Sequence, residues 1–389
     1  MFSSRVPAHL ESNRFSLALA RARAAGRPLI DLTLTNPTQA GIAYPPDLFG
    51  ALAHPAASVY APEPFGLQCA REAVAADFGR KGIAVDADRI VLTSSTSEAY
   101  SLLFKLLCEP AGDTVLAPVP SYPLFEHLTS LDGVVSEPYR LRYDGRWWLD
   151  AASLAHVWSA RVRAVLAVSP NNPTGSVLSP GELRELDSRC AAADAALIVD
   201  EVFADYPLAP DEMAANAGIA QPASLTFRLG GLSKSAALPQ VKLGWIAVDG
   251  PDALVRRALG RLELICDTYL SVSTPVQLAA AGLIARGAEM RRQVLERIRA
   301  NHSLIREMAA AHPAVDLLHA QGGWSAVLRI PARASEEETV LALLERDGVV
   351  VHPGYFFDFP HEAFLVVSLL PPIDHVREGL ARVLERVNV

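Results

Sequence analysis

Two residues have side chains suited to covalent catalysis and its support. Lys234 lies between small residues in the segment 230–235, which makes it a candidate amine nucleophile, although an ordinary surface lysine fits the same pattern. Lysine is rare in this chain, since only four of the 35 Lys and Arg residues are lysines. Asp200 ends a run that is apolar from Ala195, and a carboxylate there is costly unless it meets a cation. The sequence therefore predicts a reactive amine and a buried acid.

Two further polar segments could bind charged and polar groups of a ligand. In residues 93–99, hydroxyl side chains and free backbone N–H groups meet at the start of a predicted helix, which suits phosphate. A plain helix cap would use the same residues. In residues 169–175, Asn171 and Asn172 lie between prolines, which would hold a side-chain amide in a fixed loop. An ordinary turn is the alternative there.

Short apolar runs alternate with helical patterns through the middle of the chain and predict an α/β fold. Continuous apolar strands of this kind are typical of a mainly parallel sheet that helices cover on both faces. Seven strands are predicted, at residues 89–93, 114–118, 133–140, 163–169, 195–203, 224–229 and 243–248. Ligands of such sheets bind beyond the carboxyl ends of the strands, where all four polar segments fall.

The remainder of the chain predicts a second, smaller unit. The pattern is helical from about residue 251 to 311, and residues 320–389 predict a small α+β unit with strands at 324–330 and 364–369. The first forty-odd residues are too few for a domain. We therefore predict a large ligand-binding domain over 45–275, a small domain over 276–389, and an N-terminal segment, 1–44, that packs with the small domain.

Composition excludes several classes of function. The chain has 389 residues, of which 50% are hydrophobic, and a net charge of −8. Without a basic block, such a chain is a poor candidate for binding nucleic acid or an anionic membrane. No apolar run is long enough to span a bilayer or to form a signal core, so we expect a cytoplasmic location. The four scattered cysteines, Cys69, Cys108, Cys190 and Cys266, predict neither a metal site nor a disulfide framework.

The order of the motifs along the chain is more specific than any one motif. Ser-Pro-Asn-Asn-Pro-Thr-Gly at 169–175, Asp-Glu-Val-Phe at 200–203 and Ser-Lys-Ser at 233–235 resemble the class I and II pyridoxal phosphate (PLP) aminotransferases of the aspartate aminotransferase fold. The resemblance extends from about residue 36 to the end, and no dinucleotide or P-loop motif competes with it. It implies PLP as the cofactor, bound by the large domain and its parallel sheet.

The resemblance also implies roles for individual residues. Lys234 would bond covalently to the cofactor and then move a proton, while Asp200 would pair with the ring nitrogen. Asn172 would donate a hydrogen bond to the phenolic oxygen, and Tyr122 would stack on the ring. Tyr60 would reach the phosphate of a neighbouring subunit, which implies a homodimer with shared sites. The other implied cofactor contacts are Ser94, Ser95, Thr96, Phe203, Ser233 and Lys242.

Some positions depart from the family pattern. Phe203 stands where many members have a tyrosine, Gly231 where a serine is usual, and Lys242 where the family has an arginine. Val366 takes the place of the arginine that binds the substrate's α-carboxylate. Either another arginine replaces it, or the preferred substrate has no carboxylate there. Candidate replacements are Arg14, Arg142 and Arg329, although a structural role suits each better; candidate substrate contacts are Asn36, Trp324, His352 and Val366.

The resemblance predicts an aminotransferase. It would transfer an amino group from an amino acid or amine donor to the cofactor, and then to a keto acceptor, by a ping-pong mechanism. A PLP-dependent lyase (C–S β-elimination) or a decarboxylase on the same fold is the alternative, because these enzymes share the cofactor site and differ in which substrate bond breaks. A non-catalytic PLP-sensing protein is disfavoured, because Lys234 and Asp200 are both present. The sequence identifies neither the donor nor the acceptor.

Overall fold

Helices and strands alternate along the chain. The computed structural model describes residues 1–8, 11–209, 219, 221–361 and 363–388. The strands are β1 (Ile30–Asp31), β2 (Ile90–Thr93), β3 (Thr114–Val119), β4 (Val135–Tyr143), β5 (Trp147–Leu149), β6 (Val162–Val168), β7 (Ala196–Asp200), β8 (Thr226–Gly231), β9 (Gly244–Asp249), β10 (Asp316–Leu317), β11 (Ser325–Arg329), β12 (Val349–Val350), β13 (His352–Pro353) and β14 (Phe364–Ser368). The α-helices are α1 (Arg14–Ala24), α2 (Gln68–Arg80), α3 (Thr96–Leu107), α4 (Leu124–Asp132), α5 (Ala151–Val157), α6 (Pro180–Ala192), α7 (Leu232–Ser235), α8 (Asp252–Tyr269), α9 (Thr274–Ala310), α10 (Glu336–Ala342) and α11 (Ile373–Asn388).

The large sheet has the strand order β2-β9-β8-β7-β6-β3-β4-β5. Strands β8, β7, β6, β3 and β4 run parallel, and β9 is antiparallel to both of its neighbours. The α/β class and the mainly parallel sheet agree with the sequence, but the sheet contains one strand more than the seven predicted. The extra strand, β5, forms a hairpin with β4. Its turn contains Asp144 and Gly145, and the glycine has a left-handed φ of 74°, which is a hairpin signal that the sequence carried.

Two strand ends differ from prediction at places that matter for the site. β7 stops at Asp200 rather than at residue 203, because the Asp200 carboxylate accepts the backbone N–H of Val202 and turns the chain away from the sheet. β8 continues through Gly230 to Gly231, two residues further than predicted. A Cβ at Gly230 would collide with the indole of Trp245 on β9, so only glycine permits this close pairing.

Apolar clusters on opposite faces of the large sheet anchor it to its helices. Along β7, Ile198 packs with α3 and α8 on one face, while Leu197 and Val199 pack with α6 on the other. This alternation is the two-residue period of a strand. Among the described residues no single helix has the length and apolar composition to cross a membrane, and the consecutive helices α8 and α9 reach that composition only when combined across a bend of 118°.

The N-terminal segment lies against the C-terminal part of the chain. β1 pairs in parallel with β12, and β10, β11, β14 and β13 form a four-stranded antiparallel sheet in that order. The end of β14 is hydrogen-bonded to the N-terminal loop and to the residue before β11. The backbone N–H of Ser368 donates to the Leu32 carbonyl, and that of Leu369 donates to the Trp324 carbonyl. The N-terminal loop and the start of β11 are therefore fixed to the same strand.

Candidate functional site

The ends of β2, β6, β7 and β8 surround a cavity of about 360 Å³. This position, beyond the carboxyl ends of parallel strands, is the one expected for a ligand of such a sheet. The cavity is lined by predicted site residues that come from widely separated parts of the sequence: Ser95, Thr96, Tyr122, Asn172, Asp200, Phe203, Ser233, Lys234, Lys242 and Trp324. The described chain thus brings the proposed amine, acid, amide and hydroxyl groups into one space.

Lys234 lies on α7, the short helix that follows β8. Its Nζ is 5.0 Å from the centre of the Trp324 ring and 5.7 Å from that of Phe203. Burial lowers the pKa of the amine, although the nearby Asp200 carboxylate opposes this effect. No ion pair to Lys234 occurs within the described ranges. The lysine can therefore lose its proton more readily than an exposed one.

Asp200 is buried beneath the cavity with two hydrogen bonds. Its Oδ2 accepts from the hydroxyl of Tyr100 at 2.8 Å, and its Oδ1 accepts from the N–H of Val202 at 3.0 Å. Burial raises the pKa of the carboxyl to about 6, while these two hydrogen bonds and Lys234 favour the charged form. A cationic ligand group beside Asp200 would be strongly favoured, since it would compensate a buried charge.

The loop that follows β6 presents one asparagine and buries the other. Asn171 is buried, where its amide donates to the carbonyl of Pro120 and to Thr174. Asn172 lines the cavity, and its Oδ1 accepts from Ser325 Oγ at 3.1 Å. This hydrogen bond orients the side chain so that its NH₂ group remains available as a donor to a ligand.

The start of α3 serves both as a helix cap and as a cavity wall. Ser95 Oγ accepts the N–H of Glu98, whose carboxylate accepts the N–H of Ser94. Ser95, Thr96 and Ser97, all within the segment proposed for phosphate, line the cavity. Ser94 does not line the cavity, and its N–H donates to the Glu98 carboxylate. The helix N-terminus remains suited to an anion, since its backbone N–H groups and dipole favour negative charge.

Lys242 and two glycines complete this end of the cavity. Lys242 is exposed at the wall with a left-handed φ of 59°, and nothing in the described part of the chain pairs with its ammonium. Gly231 and Gly244 face each other across the β8–β9 pair. A Cβ at Gly231 would lie 3.1 Å from the Gly244 Cα and from the Leu243 carbonyl. A serine at position 231 would therefore require the β8–β9 pair to move by a few tenths of an ångström.

The aromatic residues divide between the cavity rim and its wall. Tyr122 is 46% exposed on the rim, where its ring is accessible to a ligand. Phe203 packs edge-on against Trp324, with 5.5 Å between ring centres. Trp324 Nε1 is buried and finds no hydrogen-bond acceptor among the residues described. At position 203, where many members of the family that the sequence resembles have a tyrosine hydroxyl, this chain therefore has an apolar contact with Trp324.

Besides Ser94, four predicted residues lie outside the cavity. Tyr60 is 78% exposed, and Asn36 closes its own turn by accepting from Thr38, so that its neighbour Thr35 lines the cavity instead. His352 packs beside two phenylalanine rings, and burial lowers its pKa. Val366 is buried in β14 opposite Val327. Within one chain, none of these four is placed to touch a ligand in the cavity.

The three candidate replacement arginines are occupied elsewhere. Arg14 pairs with Glu337, Arg142 with Asp150, and Arg329 with Asp316, and all three are exposed. None of them lines the cavity. Among the described residues that do line it, the cations are Lys234 and Lys242, and no arginine is present.

Other cavity residues escaped the sequence analysis. They are Thr35, Tyr100 and Ser325, together with an apolar group on α4 that includes Leu124, Phe125 and Leu128. Tyr100 follows Thr96 by one helical turn, and this spacing was the available signal, because residues four apart share a helix face. Ser325 had no local signal, since its partner Asn172 is 153 residues away.

Comparison with known proteins finds the same family over most of the chain. The sequence model of "Aminotransferase class I and II" matches residues 31–383. The chain is 23% identical to glutamate-pyruvate aminotransferase AlaA of Haemophilus influenzae, with 98% of this chain and 94% of that protein covered. It is 30% identical to valine–pyruvate aminotransferase of Mycobacterium tuberculosis, with 82% of this chain and 81% of that protein covered. The solved alanine aminotransferase of Pyrococcus furiosus superposes with a TM-score of 0.89 at 22% identity, covering 100% of each chain.

Proposed function

The chain belongs to the class I and II aminotransferases and uses PLP, and we propose that it transfers amino groups at the cavity around Lys234. The observation that carries this proposal is the convergence of the Lys234 amine, the Asp200 carboxylate and the Asn172 amide on one space. The reaction is a ping-pong exchange between an amino donor and a keto acceptor. The relatives described above are aminotransferases, and none of them supports the lyase or decarboxylase alternative.

The residues of the cavity fit the cofactor. When bound, PLP supplies an aldehyde that takes up the amino group and a ring that accepts electrons. The start of α3 and Lys242 would hold its phosphate, since both favour an anion and Lys242 has no partner within the described chain. Asp200 would hold the protonated ring nitrogen, which is the cation that its buried carboxylate needs. The Asn172 NH₂ group would donate to the phenolic oxygen.

Lys234 is the residue that we propose for covalent attachment and proton transfer. Burial lowers the pKa of its amine, so this amine loses its proton more readily than an exposed lysine and can then accept one. Trp324 and Phe203 exclude water from one side of this nitrogen. The hydroxyl of Tyr206 donates to the Lys234 carbonyl and so fixes the turn that carries the side chain.

We propose that the donor is an amine, or an amino acid bound through a group other than an arginine–carboxylate pair. Val366 is apolar, and no arginine of the described chain lines the cavity. The N-terminal loop, β11 and the loop after β6 give the cavity uncharged polar groups: the Thr35 and Ser325 hydroxyls and the Asn172 amide. Such groups recognise neutral polar atoms more readily than a lone carboxylate.

A panel of donors tests this substrate class. Loss of one partner of a charged, hydrogen-bonded pair commonly costs several kcal/mol, so kcat/KM for aspartate, alanine and glutamate should fall below roughly 10⁴ M⁻¹s⁻¹. Terminal amines should exceed this value. Half-reaction kinetics, followed by cofactor absorbance, provide the measurement.

The names of the relatives favour the opposite outcome, since they act on alanine, valine, glutamate and pyruvate by name. In that case an arginine from a second subunit would complete the site. Efficient turnover of a common α-amino acid, lost when one such arginine is replaced, would refute the proposed donor class and leave the aminotransferase assignment intact.

We also propose that the active form is a homodimer with shared sites, in which Tyr60 reaches the partner's cavity. Tyr60 and the adjacent Val59 are 78% and 60% exposed, so both side chains are accessible to a neighbouring subunit. The division into residues 1–44, 45–275 and 276–389 and a cytoplasmic location, both predicted from the sequence, belong to the same proposal.

Subunit complementation tests the shared site. Mixing inactive Lys234→Ala with weakened Tyr60→Ala protein under conditions of subunit exchange should restore activity, because each mixed C2 dimer contains one intact site. At equal amounts, about a quarter of the wild-type activity is expected from a two-fold dimer. Activity no higher than the average of the two separate variants would show that Tyr60 does not act across the interface.

A further inference from the structure

Tyr100 is held rigidly against Asp200. It is 2% exposed, its ring stacks with Phe104 at 6.1 Å, and it meets Phe125 edge-on at 5.3 Å. Its hydroxyl lies 2.8 Å from Asp200 Oδ2. Burial and the adjacent carboxylate raise the pKa of this phenol well above its ordinary value. Tyr100 therefore remains a hydrogen-bond donor to Asp200 throughout the physiological range.

The groups around Asp200 have opposing effects on its charge. Burial and the neighbouring Glu201 favour the neutral carboxyl, while Tyr100, the Val202 N–H and Lys234 favour the carboxylate. Glu201 is itself paired with Arg228 of β8 at 2.6 Å, which limits its repulsion. Among the described residues, Tyr100 is the one side chain that donates a hydrogen bond to Asp200. It is thus placed to influence both the charge and the direction of this carboxylate.

We propose that Tyr100 is a positioning residue that keeps Asp200 ionised and oriented to receive the protonated ring nitrogen of the cofactor. This inference rests on the role of Asp200 proposed above. The bond leaves the second lone pair of Oδ2 and one lone pair of Oδ1 free to accept from a ligand. The hydroxyl also prevents the carboxylate from turning away from the cavity, because the tyrosine ring is clamped by Phe104 and Phe125.

Removal of the Tyr100 hydroxyl should raise the pKa of the Asp200 carboxyl. A hydrogen bond to a charged acceptor contributes enough that its loss moves a carboxyl pKa by roughly one to two units. With Tyr100→Phe, a larger share of Asp200 is then protonated between pH 6 and pH 7. Since the ionised form is the one that pairs with a protonated ring, ligand affinity in this range should fall by about tenfold and recover at higher pH.

The experiment uses cofactor-free enzyme and 4′-deoxypyridoxine phosphate, which has the ring and phosphate but no aldehyde, so it cannot bond to Lys234. Its Kd is measured by calorimetry from pH 5 to pH 9 for wild type, Tyr100→Phe and Asp200→Asn. Ionisation of the ligand is common to all three proteins and cancels in the comparison. In wild type, a plot of Kd against pH should show an inflection where Asp200 ionises, and we expect this inflection to lie at higher pH in Tyr100→Phe. We expect Asp200→Asn to bind the ligand weakly at every pH.

Tyr139→Phe is the matched control. Tyr139 is also buried, but its hydroxyl donates to the Leu166 carbonyl rather than to Asp200. It should leave the inflection unchanged even if it lowers the melting temperature. The proposal for Tyr100 would be overturned if Tyr100→Phe had its inflection at the same pH as wild type. It would also be overturned if this variant lost affinity equally at every pH. Unaltered affinity in Asp200→Asn would instead refute the assigned role of Asp200, so the two failures are distinguishable.

Discussion

Lys234→Ala should bind PLP without the covalent link that borohydride reduces, and its amino transfer should fall by about 10⁴-fold, the upper range for a positioned acid–base group. The reason is that Lys234 is the cavity amine whose pKa is lowered by burial. Without it, the amine that remains among the described cavity residues is that of Lys242, which is exposed. Absorbance before and after borohydride treatment measures the link, and single-turnover kinetics measure the transfer.

Lys242→Ala is the matched control for that experiment. Lys242 is the other lysine that lines the cavity, but its side chain is exposed and lies at the end formed by the start of α3. Its replacement should keep the reducible link and weaken cofactor affinity by roughly 10- to 100-fold, as expected for a lost charged phosphate contact. A reducible link that persists in Lys234→Ala and disappears in Lys242→Ala would reverse the two assignments.

Asp200→Asn should stabilise the cofactor-free protein at neutral pH while impairing catalysis. The folded-state pKa of Asp200 is raised to about 6 from an ordinary value of 3.8, with burial as the main cause. The folded protein therefore binds the proton more tightly than the unfolded chain, and this carboxyl lowers stability as pH rises from about 4 to 6. The loss at pH 7.5 reaches ~3 kcal/mol at most. Asparagine has no such charge to bury.

Urea denaturation of the two cofactor-free proteins measures this difference. The free energies of unfolding should be within ~1 kcal/mol of each other at pH 4 and should separate above pH 6, with the asparagine variant more stable. In the variant, Asn Oδ1 can accept the Val202 N–H, and the Tyr100 hydroxyl can rotate to accept from the Asn NH₂ group. A variant less stable than wild type at pH 7.5 would show that hydrogen bonding, rather than burial, dominates at this position.

The parts of the site that sequence predicted share one property: they follow strands. Asp200 is the last residue of β7, while Lys234 and Asn172 come within four residues of the ends of β8 and β6. Parallel strands bring their carboxyl ends to one edge. Local pattern and motif order were therefore sufficient for them. Side chains on helix faces and from distant loops required the packed structure, as Tyr100 and Thr35 illustrate.

The small C-terminal sheet was harder to interpret for a different reason. The sequence predicted β14, but it could not give the direction of the side chains of Val366 and His352, which depends on the register of β14 with β11 and β13. A register change of one residue would reverse every side chain on such a strand. The sequence also could not give the direction of the Asn36 side chain. This side chain accepts from Thr38 in a local turn, and Thr35 lines the cavity.

The attachment of Thr35, Trp324 and Ser325 to one strand end has a consequence for substrate traffic. The Ser368 N–H and Oγ donate to Leu32 and Leu34, and the Leu369 N–H donates to Trp324, so this side of the cavity is a single hydrogen-bonded body. In a ping-pong cycle the donor and the acceptor occupy the same cavity in turn, so both meet this wall. We therefore expect a change to this wall to alter kcat/KM for the donor and for the acceptor by a similar factor.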